Sequence, residues 1–308
     1  MKRALIAAVA GTALLVSGCA SGNSSAGQPA PSVGSGGSYP VTVGAVTLNQ
    51  RPQRIVSLSP TATEMLFAID AGPQVVAVDD QSNYPANAPK TNLSGFKPNA
   101  EAVAAKNPDL VVLSDDIDKI VDQLTKLGIP VFQVPAAQRL DDTYTEIRQV
   151  GTLTGHPGEA TALTQRMKAD IDKTVKGVPQ RAKPLSYYYE LDPTFYSVTS
   201  KTFVGSVFGL FGMTNVADPA DADGSKGGYP QLSQEALLKS DPDMIFLADS
   251  KCCKQSPASV KARKGWSGIT AVKTGQIVAL DDDIASRWGP RVVDLVRSVA
   301  DAVAKVPA

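Results

Sequence analysis

Glu101 and Glu235 stand in two copies of one pattern. Glu101-Ala102-Val103 is followed, four residues on, by Pro108-Asp109-Leu110-Val111-Val112-Leu113, and Glu235-Ala236-Leu237 by Pro242-Asp243-Met244-Ile245-Phe246-Leu247. A carboxylate in the first turn favours a helix N-terminus, which is the simplest use of both glutamates. The rest of the chemistry-bearing set is sparse. His156 is the only histidine, so a Ser/His/Asp arrangement lacks its base, and a turn or cap role is expected for it. The chain has no G-x-x-x-x-G-K-[ST] phosphate loop, no G-x-G-x-x-G fingerprint and no G-x-S-x-G elbow. Paired carboxylates acting as acid and base remain open as a class, since Asp and Glu are plentiful, but no pair is singled out. Asp281-Asp282-Asp283 lacks the spacing and glycine of an EF-hand loop and reads as a solvated turn. The adjacent Cys252 and Cys253 have no nearby histidine or further cysteine, which is poor grounds for zinc. A vicinal disulfide, two thiols or a soft ligand are all possible there, with a structural role preferred. No catalytic residue, metal site or cofactor is assigned.

The elements that position these residues follow from local pattern. In each copy of the repeat, proline ends a short helix because it lacks an N–H and restricts the residue before it. The run after each Asp is too apolar for a half-exposed strand and suits a parallel sheet covered on both faces. Val41 to Leu48 reads as an early strand or hairpin and Arg54 to Leu58 as a strand. Ser59-Pro60 opens a helix, with Ser59 as N-cap and Pro60 at its first position, and Gly72 ends it. Further strands are read at Val75–Val78, Ile129–Val134, Leu185–Leu191, Asn215-Val216 and Gln276–Leu280. Helices are read at Ile117–Leu127, at Leu140–Thr154 with Gly155 as its stop, from Pro157 to about Val178, from Phe203 to Gly212, and at the C-terminus from Val292. Strands alternating with helices imply an α/β chain with mostly parallel sheets. Two Glu units 134 residues apart imply two lobes of similar build. The helix after His156 is long enough to serve as a strut between lobes, or as a surface helix of one of them.

Length and charge set outer bounds. The chain has 308 residues and 43% hydrophobic content, about two domains' worth of core. Lys+Arg and Asp+Glu are 30 each, which gives no electrostatic reason for nucleic-acid binding and no polybasic patch for a membrane surface. Lys2-Arg3 followed by apolar Ala4–Leu15 reads as a leader too short to span a bilayer permanently. Val16-Ser17-Gly18-Cys19 resembles a bacterial lipobox, which implies acylation of Cys19 and a stable anchor of several acyl chains. Ala20 to about Tyr39 is rich in Gly, Ser, Ala and Pro and reads as a flexible tether.

Four stretches, in this order and spacing, resemble the helical-backbone class of ABC-importer substrate-binding proteins, which carry cobalamin, ferric siderophores and haem. They are Arg54-Ile55-Val56-Ser57-Leu58-Ser59-Pro60 with Thr63-Glu64, the two Glu units, Tyr229-Pro230-Gln231-Leu232-Ser233, and Arg287-Trp288-Gly289-Pro290-Arg291. The resemblance covers about residues 50–305. It implies two Rossmann-like lobes joined by one long helix, with ligand in the cleft between them. The expected division is a leader over 1–18, lipidated Cys19 with its tether over 19–40, one lobe over 41–156, the connecting helix over 157–178 and the second lobe over 179–308. It further implies that Glu101 and Glu235 dock onto arginines of a membrane permease, which works with its ATPase. The related class that binds bare zinc or manganese needs several histidines, so any metal here arrives chelated. Ligand-contact candidates are Tyr84 and Phe96 in the first lobe and Tyr189, Phe195, Tyr196, Lys201, Tyr229, Arg287 and Trp288 in the second. Aromatics suit the faces of a corrin or porphyrin. Arg287 suits an anionic siderophore, a haem propionate or a corrin phosphate. The expectation is a lipid-anchored, monomeric, extracytoplasmic binding protein without enzymatic activity, with cobalamin or a related corrinoid placed ahead of ferric siderophores and haem. An envelope sensor or interaction protein, and a carboxylate enzyme on the same scaffold, are the alternatives.

Overall fold

The computed structural model describes residues 38–307. The leader, Cys19 and nearly all of the tether lie outside that range. The described residues open with a hairpin, β1 (Val41–Val43) and β2 (Val46–Leu48), and continue through β3 (Ile55–Leu58), α1 (Pro60–Ala68), β4 (Val75–Val78), α2 (Ala100–Ala104), β5 (Leu110–Leu113), α3 (Ile120–Lys126) and β6 (Val131–Gln133). Two helices, α4 (Leu140–Thr154) and α5 (Pro157–Gly177), lead to β7 (Ser186–Glu190), α6 (Phe203–Gly209), β8 (Thr214–Asn215), α7 (Gln234–Ser240) and β9 (Met244–Leu247). The chain ends with α8 (Pro257–Lys261), α9 (Thr270–Thr274), β10 (Ile277–Ala279), α10 (Asp282–Ala285) and α11 (Val292–Lys305).

Two four-stranded parallel sheets result, ordered β4-β3-β5-β6 and β10-β9-β7-β8. Numbered within each lobe, both read 2-1-3-4, and in both the Glu unit supplies the third strand. The repeat extends to atomic detail. Asn99 caps α2 by accepting from the Ala102 amide, and Ser233 caps α7 by accepting from the Ala236 amide. Glu101 and Glu235 therefore hold the same place, second in the helix. The aspartate after each proline ties down the start of the neighbouring strand. Asp109 accepts from the Gln53 and Arg54 amides at 2.7 and 2.9 Å, and Asp243 accepts from the Ser186 amide at 2.8 Å.

The two-residue period of the strands divides the core. Ile55, Leu110 and Val112 of one sheet, with Tyr187, Tyr189, Met244 and Phe246 of the other, belong to one buried cluster that includes residues of α1, α4, α5, α6 and α11. Val56, Val111 and Leu113 face a cluster private to the first lobe. Tyr188, Ile245 and Leu247 face one private to the second. One apolar core thus runs through both lobes. The connecting helix α5 has 21 residues, about 30 Å of helix. Gly155, in left-handed conformation at φ 78°, makes the corner before it. His156 is held there by Arg51 Nη2 at 2.6 Å and Gln74 Oε1 at 2.9 Å. Burial first, and then the Arg51 charge, lower its pKa, in keeping with the turn role.

Several local expectations are corrected. Helix α1 stops at Ala68, four residues before Gly72, because Asp70 takes the left-handed turn at φ 65°. The stretch 117–127 is broken by Asp118 and Lys119 at positive φ, so only Ile120–Lys126 is α-helical. The aspartate run is no solvated turn. Asp281 caps α10 through the Asp283 and Ile284 amides. Asp282 accepts from the amides of Ser250, Lys251 and Cys252. Asp283 pairs with Lys251 at 2.7 Å and Arg287 at 2.9 Å. Cys252 and Cys253 form a vicinal disulfide in the turn so anchored.

Candidate ligand cleft

Ligands of open α/β sheets gather beyond the carboxyl ends of the strands, where the strand order reverses. In the first lobe that place lies between β3 and β5, and a cavity of about 420 Å³ opens there. Its floor is Leu58 and Ser59 at the end of β3, Asp79 after β4, and Ser114 and Asp115 after β5. Its opposite wall is Asp283, Ser286, Arg287 and Trp288 from the segment between β10 and α11. Gly95 closes one side. A Cβ there would lie 2.7 Å from the Leu58 carbonyl oxygen, so a side chain at 95 would collide with the floor.

The floor is fixed by a chain of hydroxyls. Ser114 Oγ donates to Ser59 Oγ at 2.7 Å, and Thr63 Oγ1 donates to Ser57 Oγ at 2.9 Å. Thr63 Oγ1 and Ser82 Oγ lie 2.8 Å apart, and Ser82 Oγ donates to Asp79 Oδ1. Asp79 is only 2% exposed. Burial raises its pKa, and the Ser82 bond opposes that shift.

The two walls meet in an ion cluster. Glu64 of α1, 2% exposed, receives Arg291 as a fork, Nε to Oε2 at 2.9 Å and Nη2 to Oε1 at 2.6 Å. Arg287 Nη1 also reaches Glu64 Oε1, at 2.7 Å, and Asn83 Oδ1 at 3.0 Å. Arg287 Nη2 donates to Asp283 Oδ1 at 2.9 Å and to the Gln81 carbonyl at 3.2 Å. All four hydrogens on its two Nη atoms are thereby engaged, in a side chain that has five N–H donors in total. Arg287 does line the cavity, but its fork is spent on the protein.

The other sequence-stretch candidates divide. Phe96 and Trp288 line the cavity, Phe96 at 72% exposure. Trp288 Nε1 is buried without a hydrogen-bond acceptor. Tyr84 lies in a neighbouring groove beneath the Arg291 guanidinium, 4.3 Å from its ring centre. Tyr189 is core: fully buried, with its hydroxyl donated to the Ala285 carbonyl at 3.0 Å. The strand period forces this, since its side chain falls on the face shared with Tyr187. Phe195 packs on Trp266 at 5.7 Å. Tyr196 and Tyr229 are exposed, and Lys201 Nζ rests on the Ala222 carbonyl; none of these three lines the cavity.

Asp79, Ser59, Ser114 and Asp115 were not singled out by type. Their signal was position alone, immediately after predicted strands. Glu101 and Glu235 lie away from the cavity, both exposed, and neither has an ion-pair partner among the described residues. No group of three or more His, Cys, Asp or Glu among the described residues could hold a metal ion.

Comparison with known proteins places this architecture. Residues 55–284 match the periplasmic binding protein family. An ABC transporter substrate-binding lipoprotein of Bacillus subtilis is 32% identical over 284 residues, covering 86% of each chain. A cobalamin-binding protein of Halobacterium salinarum is 31% identical, covering 86% of this chain and 74% of its own. Among solved structures, an iron-binding periplasmic solute-binding protein of Staphylococcus epidermidis, described as possible, superposes with a TM-score of 0.72 at 27% identity, covering 83% of this chain and 100% of its own. The periplasmic vitamin B12-binding protein of Vibrio cholerae gives 0.67 at 25% identity, covering 82% and 96%. With two 2-1-3-4 parallel sheets and a family match over three quarters of its length, this chain belongs to the periplasmic binding protein family.

Proposed function

We propose that the chain is the lipid-anchored, extracytoplasmic substrate-binding component of an ABC importer, capturing a metal chelate in the interlobe cleft and handing it to the permease. The observation that carries this reading is the twin placement of Glu101 and Glu235. Two exposed carboxylates at the same position of equivalent helices, one per lobe, offer a permease a contact on each lobe at once, and matched charge helps orient docking. Cobalamin or a related corrinoid stands first among cargoes, ahead of ferric siderophores and haem, because relatives named for cobalamin or vitamin B12 align over most of the chain. The anchor rests on the lipobox-like Val16–Cys19 stretch and on the lipoprotein relative. The continuous core through both lobes favours small lobe movements on binding, so loaded and empty forms would differ at the permease through modest shifts.

The test is calorimetric titration of the purified protein with cobalamin, a ferric hydroxamate, a ferric catecholate and haem. One-to-one binding of one chelate is expected. Absence of heat with all four removes the importer-of-chelates reading.

A further inference from the structure

Cys252 and Cys253 are neighbours in sequence and are joined to each other. A cross-link stabilises a fold in proportion to the loop it closes, and this one closes the shortest loop a chain allows. It does not staple the lobe. What it fixes is the backbone path of one turn. Three successive amides of that turn, those of Ser250, Lys251 and Cys252, converge on the Asp282 carboxylate at 2.9, 2.8 and 3.0 Å. Amides aimed together at one anion form a nest, whose shape depends on the backbone angles of the residues that carry them. The Lys251 ammonium reaches Asp281 at 2.9 Å and Asp283 at 2.7 Å. Asp283 lines the cavity. It accepts from Arg287 Nη2 at 2.9 Å and, across to the first lobe, from Asn83 Nδ2 at 3.1 Å. The other end of the turn is also fastened. The Cys253 and Gln255 amides donate to the Asp249 carbonyl at 3.2 and 3.3 Å, and Gln255 Oε1 accepts from Arg263 at 2.7 Å. The path from the disulfide to the first lobe therefore runs through Lys251, Asp283 and Asn83.

We propose that Cys252–Cys253 is a thiol–disulfide exchange site that latches the second-lobe wall of the cavity, closed when oxidised and loosened when reduced by a dithiol. Cys252 is exposed and Cys253 part-buried, so a dithiol in solution meets the Cys252 sulfur first. One thiol of the reductant loses its proton and attacks that sulfur, the S–S bond breaks, and Cys253 leaves as a thiolate that takes up a proton. The second thiol of the reductant then displaces Cys252, which is protonated in turn. The dithiol departs as a disulfide, and the protein holds two thiols in place of one S–S bond. The backbone angles of the two cysteines, no longer bound by the ring, are then free to change. The Cys252 amide turns away from Asp282, the nest opens, and Lys251 is released from Asp283. The wall loses its ammonium and the order that the nest gave it.

The test needs no ligand, so its result is independent of the cargo. The purified protein is treated with or without dithiothreitol, alkylated with iodoacetamide and digested, and the mass of the peptide holding both cysteines is read. Alkylation of both is expected only after dithiothreitol. In parallel, hydrogen–deuterium exchange followed by mass spectrometry compares the two forms. Exchange in peptides covering 250–255, 281–288 and 81–84 should rise ~10-fold or more on reduction, the scale of losing one hydrogen bond to a charged group. It should return on reoxidation with oxidised glutathione, while α5 stays unchanged throughout. Cys252→Ser with Cys253→Ser should show the reduced pattern with and without dithiothreitol. Cysteines already alkylated before reduction, or still protected after it, overturn the exchange site. Thiols that appear without any change at 281–288 overturn the latch.

Discussion

Arg291 closes on Glu64 as a fork of two hydrogen bonds, 2.9 and 2.6 Å long, between residues 227 positions apart. The carboxylate comes from the first helix of one lobe and the guanidinium from the segment leading into the last helix of the other. Arg287 adds a third contact to the same carboxylate. A buried pair of this kind is costly to break from one side, because the remaining charges lose their partner without regaining water.

Glu64→Gln should therefore lower stability by about 3–5 kcal/mol, the range for removing one member of a buried ion pair. Urea denaturation followed by circular dichroism reads the change in midpoint. Glu64→Met combined with Arg291→Met should cost less than the sum of the single changes, since contacting residues do not add. Additive losses would show that the two side chains act independently.

A second expectation concerns the twin glutamates. Glu101→Ala with Glu235→Ala should leave chelate affinity unchanged, because neither residue lines the cavity. Uptake by intact cells should fall more than ~30-fold, which corresponds to the lower end of the cost of removing one partner from a buried charge pair, about 2–5 kcal/mol. Undiminished uptake would remove the docking role assigned to them.

The third lies in α4. Glu146 is 6% exposed, and its Oε2 has no hydrogen-bond partner. Burial, with Asp142 adding like charge, pushes its pKa up to about 8. An acid whose folded pKa lies above its unfolded value binds a proton in the native state that the unfolded state has released. Stability then falls as pH rises from the ordinary carboxylate range toward 8, at about 1.4 kcal/mol per pH unit for a single group. Glu146→Gln, which mimics the protonated form, should remove this slope and raise Tm at pH 8 more than at pH 5. A variant with the same pH profile as the parent would exclude Glu146 as its source.

Features set by short stretches of chain are legible in the sequence. The Ser59 cap, the start at Pro157 and the stop at Gly155 are decided by a few neighbouring residues. The Pro-Asp repeat announced the third strand of each sheet. The site was less legible because its parts are joined by tertiary contacts. Nothing near Arg287 says that Glu64, more than 200 residues earlier, will occupy its guanidinium. Tyr189 was proposed for the cleft because it lies near a strand end, whereas the face it occupies is set by pairing with β9 and packing on Phe208. The helix over Pro257–Lys261 was missed although Ser256-Pro257 carries an N-cap signal, because only five residues follow before it ends.

The strand-entry carboxylates have a mechanical consequence. Asp109 fastens the turn after the Glu101 helix to the two residues just before β3, and the other end of β3, Leu58 followed by Ser59, is the floor of the cavity. Load applied at Glu101 therefore enters the sheet at one end of a rod four residues long and leaves it where a ligand would rest. Asp243 gives β7 the same bolt at its start. The first lobe is thus geared as a short lever, with Asp109 as fulcrum.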